Sequence, residues 1–549
     1  MKKWWNEGII YQIYPQSFYD SNGDGIGDLR GIIQKLDYIK SLGVDIIWLN
    51  PIYASPLDDN GYDISDYRVI NPIYGTMEDF NELLSEMHKR DLRLIMDLVV
   101  NHSSDEHQWF KESRTSKNNP YRDYYFWHPG KNGGPPNNWP SIFGGSVWEF
   151  DDATDEYYLH YFSRKQPDLN WENPKVRKEV IDIVRWWLDK GVDGFRLDVI
   201  SMISKYLDFP DADSANFGEI IAQYYCNGPR IHEFIREVYD KSLKDYDAMT
   251  VGEGPGITKD LGNDYTGQNR GELNMIFPLD LMTVDWGPEG RFDHGSLDRH
   301  DIKSFFREWN DALGDDGWMS IFLDNHDFPR MVSRFGNDTK YRIESAKLLL
   351  TMLLTLRGTP SIYYGSEIGM MNTAYNSIAQ IKDIESLNYY KDAIEKGMAE
   401  TEAMRRIQVA GRDNARTPMQ WNDKEHGGFT TGTPWLASNP NHTSINIEKE
   451  ESDDAGILSY FRRMTAFRKA NKTLSYGSFT DLDPDHRHIF HYQRKDADAL
   501  IVIVMNISDD STPYNIHLPD LQLAICNYAE EIEQHVLRPW EARIFTKNG

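Results

Sequence analysis

Only two cysteines, Cys226 and Cys526, occur in 549 residues. Neither a disulfide framework nor a cysteine-based metal motif can be built from them. Both read as reduced, partly buried thiols, and a cytoplasmic location is the expectation. Long hydrophobic runs are missing too. The most apolar, LLLTMLLTL at 348–356, is far short of the roughly 20 residues that span a bilayer. The opening MKKWWNEGIIYQ carries two lysines, but Asn6 and Glu7 break the apolar stretch behind them, so no signal-peptide core is expected. NHT at 441–443 is then an idle glycosylation sequon. Positive charge is short, with 59 Lys and Arg against 86 Asp and Glu and a formal net charge of −27. That balance argues against nucleic acid and anionic membranes as partners and suits a neutral substrate and a monomer. No repeat of 20–50 residues is visible.

What is plentiful is aromatic: 13% of the chain, with 16 Trp and 31 Tyr. Most such rings fill cores, but an excess in loops suits the flat faces of sugars. Short β-branched segments recur at 9–15, 44–50, 92–101, 191–200, 248–254, 272–279, 318–327 and 359–365. Amphipathic stretches at 29–43, 77–91 and 173–191 alternate with them, the first placing Ile32, Leu36, Ile39 and Leu42 on one stripe before Gly43. Eight strands alternating with helices predict an α/β fold, a closed (β/α)8 barrel. Residues 103–172, rich in Gly, Pro, Asn, Trp and Tyr, read as a lobe inserted after strand three. Residues 370 to about 455 form a polar excursion after strand eight, and 457–471 read as the closing helix. Beyond 473, alternation and turns predict an antiparallel β-sandwich domain. The expected division is a barrel of residues 1–102 and 173–472, an inserted domain of 103–172 and a C-terminal domain of 473–549.

Chemistry in such barrels sits at the C-terminal ends of the strands. There the chain reads DLVVNH (97–102), GFRLDV (194–199), VGEG (251–254) and LDNHD (323–327). One acid at a strand end is commonly a helix cap. Asp198, Glu253 and Asp327 together, joined by His102, His326 and Arg196, make a site. Period two puts Arg196 and Asp198 on one face, where the guanidinium is expected to hold Asp198 ionised as a nucleophile. Glu253, crowded by Asp198 and Asp327, is the expected proton donor for cleavage of a glycosidic bond. Asp327 is left to grip hydroxyls and face positive charge.

DSNGDGIGDLRG at 20–31 looks like an EF-hand loop, but its twelfth position is Gly31 in place of the bidentate glutamate, and its flanks read as a strand and a helix. A calcium sensor is excluded on that ground.

The four strand-end motifs, in this order, resemble those of the α-amylase superfamily, glycoside hydrolase family thirteen. YQIYPQSF, DSNGDGIGDLRGI, DDNGYDISDY, QPDLNW and GRDNARTPMQW extend the resemblance over the whole chain, toward the oligo-1,6-glucosidase and α-glucosidase branch. The resemblance implies a retaining mechanism with Asp198 as nucleophile, Glu253 as acid/base and Asp327 as transition-state stabiliser. It implies that Tyr62 stacks on the sugar, that His102, His326 and Arg196 contact it, and that Asp59 and Arg412 clamp its non-reducing end, so that single glucoses are trimmed from chain ends. Phe143 and Gln166 would help wall the pocket. It also implies a structural metal held by Asp20, Asn22, Asp24, the Ile26 carbonyl and Asp28, calcium in preference to magnesium. Val199 after the nucleophile goes with α-1,6 linkages in this branch, where Thr or Ala goes with α-1,4. Gly254 stands where a bulkier residue is usual, which is expected to widen the leaving-group side. The expected activity is therefore exo-acting hydrolysis of isomaltose and short isomalto-oligosaccharides. The alternatives on this scaffold are a maltase, a sucrose or trehalose-type hydrolase, and a glucosyl-transferring isomerase. The run 305–330 resembles sucrose isomerases, although Val199-Ile200-Ser201 lacks their threonine. A non-catalytic carbohydrate-binding barrel is the remote alternative; such relatives lose the acids kept here.

Overall fold

The β-branched segments form eight short parallel strands in a computed structural model that describes residues 3–214, 216–516, 518, 520–529 and 533–547. They are β1 (Ile10–Ile13), β2 (Ile46–Leu49), β3 (Arg93–Leu98), β4 (Gly194–Leu197), β5 (Met249–Gly254), β6 (Met275–Pro278), β7 (Ser320–Ile321) and β8 (Thr359–Tyr363). Their order in the sheet is β6-β5-β4-β3-β2-β1-β8-β7. A parallel bridge from Ile276 to Met319 joins the two ends, so the sheet closes into the expected barrel. Every strand residue except Arg93 is buried, which explains why these segments run apolar on both faces instead of alternating.

β7 is shorter than the segment 318–327 suggests. After Ile321 the chain leaves the ladder because Asp324 turns inward, accepting from the Met331 amide at 3.0 Å and from the Ser366 hydroxyl. The helix expected over 29–43 is two helices, Leu29–Gln34 and Leu36–Ser41, broken at Lys35 (φ −105°, ψ 3°). There the Lys35 ammonium lies about equally over the rings of Tyr19 and Trp421, at 4.0 and 4.1 Å. Gly43 ends the second helix at φ +78°, where a Cβ would come within 2.6 Å of the Thr465 hydroxyl. Met77–His88 starts from a reciprocal Thr76–Asp79 capping box, and Pro174–Asp189 starts from Asn173 with Pro at its first position.

Between β3 and β4 lies a three-stranded antiparallel sheet in the order Trp127–His128, Glu156–Leu159, Trp148–Asp151. Its core of Trp139, Trp148 and Tyr161 also takes in Val199, Met202 and Cys226 from the connection after β4, so lobe and barrel rim share one apolar cluster. After β8, helices Ile384–Glu395 and Glu400–Ala410 rise over the same rim. The C-terminal part is a five-stranded antiparallel sheet facing the pair Thr512–Pro513 and Val536–Leu537 through buried Ile489, Val502, Val504 and Leu537.

Barrel and C-terminal sheet are joined by buried cations that bond to main-chain carbonyls. Lys303 reaches the carbonyls of Asp483, His486 and Ile489. Arg494 reaches those of Thr355 at 2.9 Å, Leu474 at 2.6 Å and Gly477 at 2.7 Å. Replacing Arg494 by Met keeps the apolar stem and strands three buried acceptors, so unfolding in urea should lose about 3 kcal/mol of stability. An unchanged midpoint would show that the joint rests on apolar contact alone.

Candidate active site

Asp97 ends β3, Arg196 and Asp198 end β4, and Glu253 ends β5. Parallel register sets Asp97 opposite Arg196, so both point to the same face. The Arg196 guanidinium, 1% exposed, then gathers three carboxylates: Nη1 is 2.6 Å from Asp97 Oδ1 and 2.5 Å from Asp198 Oδ1, and Nη2 is 2.8 Å from Glu253 Oε2. Reading strand ends alone misses Asp97 although it opens DLVVNH; only pairing the strands in register finds it. It also accepts from Trp48 Nε1 at 2.9 Å.

Burial, reinforced by Glu253 and Asp97, lifts the Asp198 carboxyl well above the usual carboxylate range in spite of Arg196. This corrects the expectation that Arg196 simply holds Asp198 ionised: one guanidinium faces three acids in a desolvated space. Asp198 therefore holds its proton more tightly than an ordinary carboxyl group does.

Val199 is left-handed (φ 35°, ψ 42°), a conformation that a β-branched residue rarely adopts. The turn aims its amide at Glu253 Oε2, 3.1 Å away. Strain of this kind persists where surrounding structure enforces it. Here the Ser201 hydroxyl donates to the Pro255 carbonyl at 2.6 Å, tying the turn after β4 to the one after β5. Gly254 does not open the leaving-group side as expected. A Cβ there would meet Ile257 Cδ1 at 2.9 Å, so buried Ile257 already fills the space.

Asp327 follows β7 in a turn. His326 Nε2 lies 3.1 Å from its Oδ2, while Arg416 and Arg412 reach Oδ1 at 3.0 and 3.4 Å. Burial raises its pKa, but His326, Arg412 and Arg416 together hold it well below the usual range. Tyr62 lies parallel to His326 at 5.1 Å and 9°. Arg412 Nη2 meets Asp59 Oδ1 at 3.0 Å, and Gln166 donates to Asp59 Oδ2 at 3.1 Å while lying 3.2 Å from His102 Nε2. Burial pushes His102 down to about 4, so it is neutral at pH 7. Phe143 packs under the Arg412 guanidinium at 4.8 Å, and Asn388 donates to the Phe143 carbonyl at 2.9 Å. The lobe and the excursion after β8 thus meet over the pocket.

Beyond the residues named from the sequence, the structure adds Arg416, Asp383 and Glu385 around Arg412, and Gln12, whose amide lies 2.9 Å from His326 Nδ1. Behind His102, buried Lys205 pairs with Asp168 at 2.5 Å and donates to Asn101 at 2.7 Å. A cavity of about 1390 Å³ covers the acids, lined among others by Asp59, Tyr62, Asp198, Glu253, Asp327 and Arg412.

The loop at 20–28 is bonded largely to itself. Asp20 accepts from the amides of Asn22, Gly23 and Gly25 and from the Thr430 hydroxyl, and Asp28 accepts from the amides of Ser21 and Gly31, the latter capping the helix. Asp24 accepts from the Ile26 amide and Asn22 from that of Asp24. Among the described residues no three His, Cys, Asp or Glu side chains are already gathered to hold a metal ion.

The family model for the α-amylase catalytic domain matches residues 12–477. The oligo-1,6-glucosidase of Parageobacillus thermoglucosidasius is 52% identical over 555 residues, covering 99% of this chain and 98% of the relative. The trehalose-6-phosphate hydrolase of Bacillus subtilis (strain 168) is 43% identical over 554 residues, covering 99% and 98%. Among solved structures, the isomaltulose synthase of Klebsiella sp. LX3 superposes with a TM-score of 0.96 at 44% identity and 99% coverage of each chain. A closed barrel with this ring of acids at its carboxyl end, matched over nearly its whole length by these proteins, belongs to the α-amylase family of glycoside hydrolases.

Proposed function

We propose that the protein is a retaining, exo-acting α-glucosidase that releases terminal α-1,6-linked glucose from isomaltose and short isomalto-oligosaccharides. One observation carries this: Asp198 and Glu253 sit on one Arg196 guanidinium, in a cavity bounded by the Asp59–Arg412 pair. Two carboxyls tied to one guanidinium are close neighbours, which favours direct attack by a carboxylate over attack by an interposed water. In the reactive form Asp198 is ionised and Glu253 carries a proton. Asp198 attacks C1 of the terminal glucose while Glu253 protonates the departing oxygen. Glu253 then takes a proton from the water that hydrolyses the glucosyl ester. Asp327 stays anionic beside Arg412, Arg416 and His326 and faces the positive charge that develops on the ring. Tyr62 and His326 offer a flat face to that sugar, and neutral His102 beside Gln166 offers hydroxyl partners. Asp59 and Arg412 bind the hydroxyls of a chain end and leave no passage beyond it. Val199 and the oligo-1,6-glucosidase name of the 52% identical relative support the linkage. Among the described residues no helix is long and apolar enough to cross a membrane. Two free thiols favour the cytoplasm, and a net charge of −27 favours a monomer.

Incubation with isomaltose, maltose, sucrose and trehalose, followed by NMR from the first turnover, tests the reading. Isomaltose should disappear and α-glucose should be the first anomer released. Consumption of maltose alone overturns the linkage, and β-glucose first overturns retention.

The charge arrangement has its own signature. Because Asp97 raises the Asp198 pKa, Asp97→Asn should move the acid limb of kcat/KM to lower pH, with some loss of kcat as Arg196 relaxes. A limb that stays in place would show that Asp97 is not electrostatically linked to the nucleophile.

For the loop at 20–28 we propose a structural calcium ion. Asp20, Asp24 and Asp28 concentrate negative charge, and among the described residues none of them is in an ion pair. Asn22 Oδ1, Asp24 Oδ1 and Asp28 Oδ2 each accept one amide and keep a second lone pair. Both Asp20 oxygens accept two donors, so an ion there displaces one of them, and the Ile26 carbonyl completes an all-oxygen set. Chelation should lower Tm and leave kcat at saturating substrate unchanged. A Tm indifferent to chelator and to added calcium would show that the loop's own bonds suffice.

A further inference from the structure

We propose that Trp286 is the platform of a further subsite on the leaving-group side, taking a second glucosyl unit beyond the one displaced. The inference rests on the reading of the site as an exo-acting α-glucosidase and adds the length of substrate it favours. Small-molecule sites commonly enclose about 300–1,000 Å³, whereas this cavity measures about 1390 Å³. The Asp59–Arg412 pair bounds one end, the lobe and the excursion after β8 add walls, and part of the cavity extends on the side of the proton donor. That side is walled by connections after β4, β5 and β6: Phe217, Pro255, Leu279 and Trp286 all line the cavity. The donor protonates the oxygen of the departing sugar, and the chain that continues from that sugar runs past the strand next to Glu253, which is β6.

Trp286 is half-buried: it packs against the main core and also lines the cavity. Its support is rigid. It opens the hairpin Trp286–Gly287 with Gly290–His294, and the preceding Asp285 is held by Arg334 Nη2 at 2.6 Å, which also donates to the Met282 carbonyl at 2.7 Å. A guanidinium stands over one face of the ring. The Arg291 guanidinium lies 5.6 Å from its centre, pairs with Glu385 at 2.9 Å and donates to the Asp327 carbonyl at 3.0 Å. Trp286 is thus separated from the catalytic turn by one side chain. A hydrophobic ring flanked by a charged pair matches a pyranose, whose apolar face stacks while its rim hydroxyls bond.

The test compares kcat/KM for isomaltose, isomaltotriose and isomaltotetraose in the wild type and in Trp286→Ala, Trp286→Leu and Trp286→Tyr. The wild type should prefer the trimer to the dimer. Ala and Leu should lose roughly tenfold on the trimer and tetramer, mainly through KM, and less than twofold on the dimer; Tyr should keep most of the preference. Equal losses on dimer and trimer would make Trp286 a merely structural or first leaving-group residue and overturn the proposal, as would no loss at all. Leu preserves apolar volume, so it tests the flat face even where Ala fails to fold. If the wild type ignores isomaltose and cleaves maltose, the α-1,6 reading falls by itself. The same comparison with maltose and maltotriose then decides the role of Trp286.

Discussion

Three carboxylates meet one guanidinium at the base of the cavity: Asp97, Asp198 and Glu253 around Arg196. None of these four groups is tolerable alone in so buried a place, since an unpaired buried charge costs several kcal/mol. The barrel supplies the pairing through register. Asp97 and Arg196 are partners across β3 and β4, and Val251 and Arg196 across β4 and β5, which brings Glu253 to the same level as Asp198. A slip of one residue would point every one of these side chains to the opposite face. The excess of acid over base raises the Asp198 carboxyl, and a retaining glycosidase needs one carboxyl ionised and one protonated. Pairing is complete enough to fold and incomplete enough to react.

The second constraint is closure. Asp59 comes from the connection after β2 and Arg412 from the excursion after β8, 353 residues apart in sequence. Their contact is drawn together by Gln166 and Phe143 of the lobe and by Asp383 and Asn388 of the excursion. The same Arg412 reaches Asp327. Arg412 therefore pairs with both Asp59 and Asp327, and the proposed grip on a chain end and the proposed charge opposite the transition state share one cation.

Much of this is legible in the sequence because the barrel writes its chemistry at strand ends. Asp198, Glu253 and the LDNHD turn can be read by asking where apolar strands stop. What escapes such a reading depends on contacts between strands or between distant loops. Asp97 is found only by register, and Gln12 only because β1 and the turn after β7 approach each other beneath His326. Arg416 and Glu385 sit in a stretch whose polar composition says loop and no more. The state of Asp198 is misjudged from sequence because proximity to Arg196 is visible in two-residue spacing, whereas burial and two further acids are not. Gly254 misleads for a similar reason. A missing side chain suggests space, but Ile257, three residues on, folds back to occupy it. The break at Lys35 is hidden because its cation–aromatic contact is with Trp421, far along the chain.

Val199 shows why linkage preference and chemistry are hard to separate in this fold. Its side chain lines the cavity, while its amide, turned by a left-handed backbone, donates to Glu253 Oε2. A change of side chain at this position therefore acts on two things at once. It alters what the departing sugar touches, and it alters how readily the backbone holds a conformation that β-branched residues resist. An exchange of Val for Thr keeps the branching and so leaves the turn's strain nearly constant, while replacing a methyl by a hydroxyl toward the sugar. A glycine would relieve the strain and loosen the amide that steadies Glu253. Specificity can drift along this position by exchanges that preserve the turn, because the catalytic geometry is carried by the main chain and the preference by the side chain.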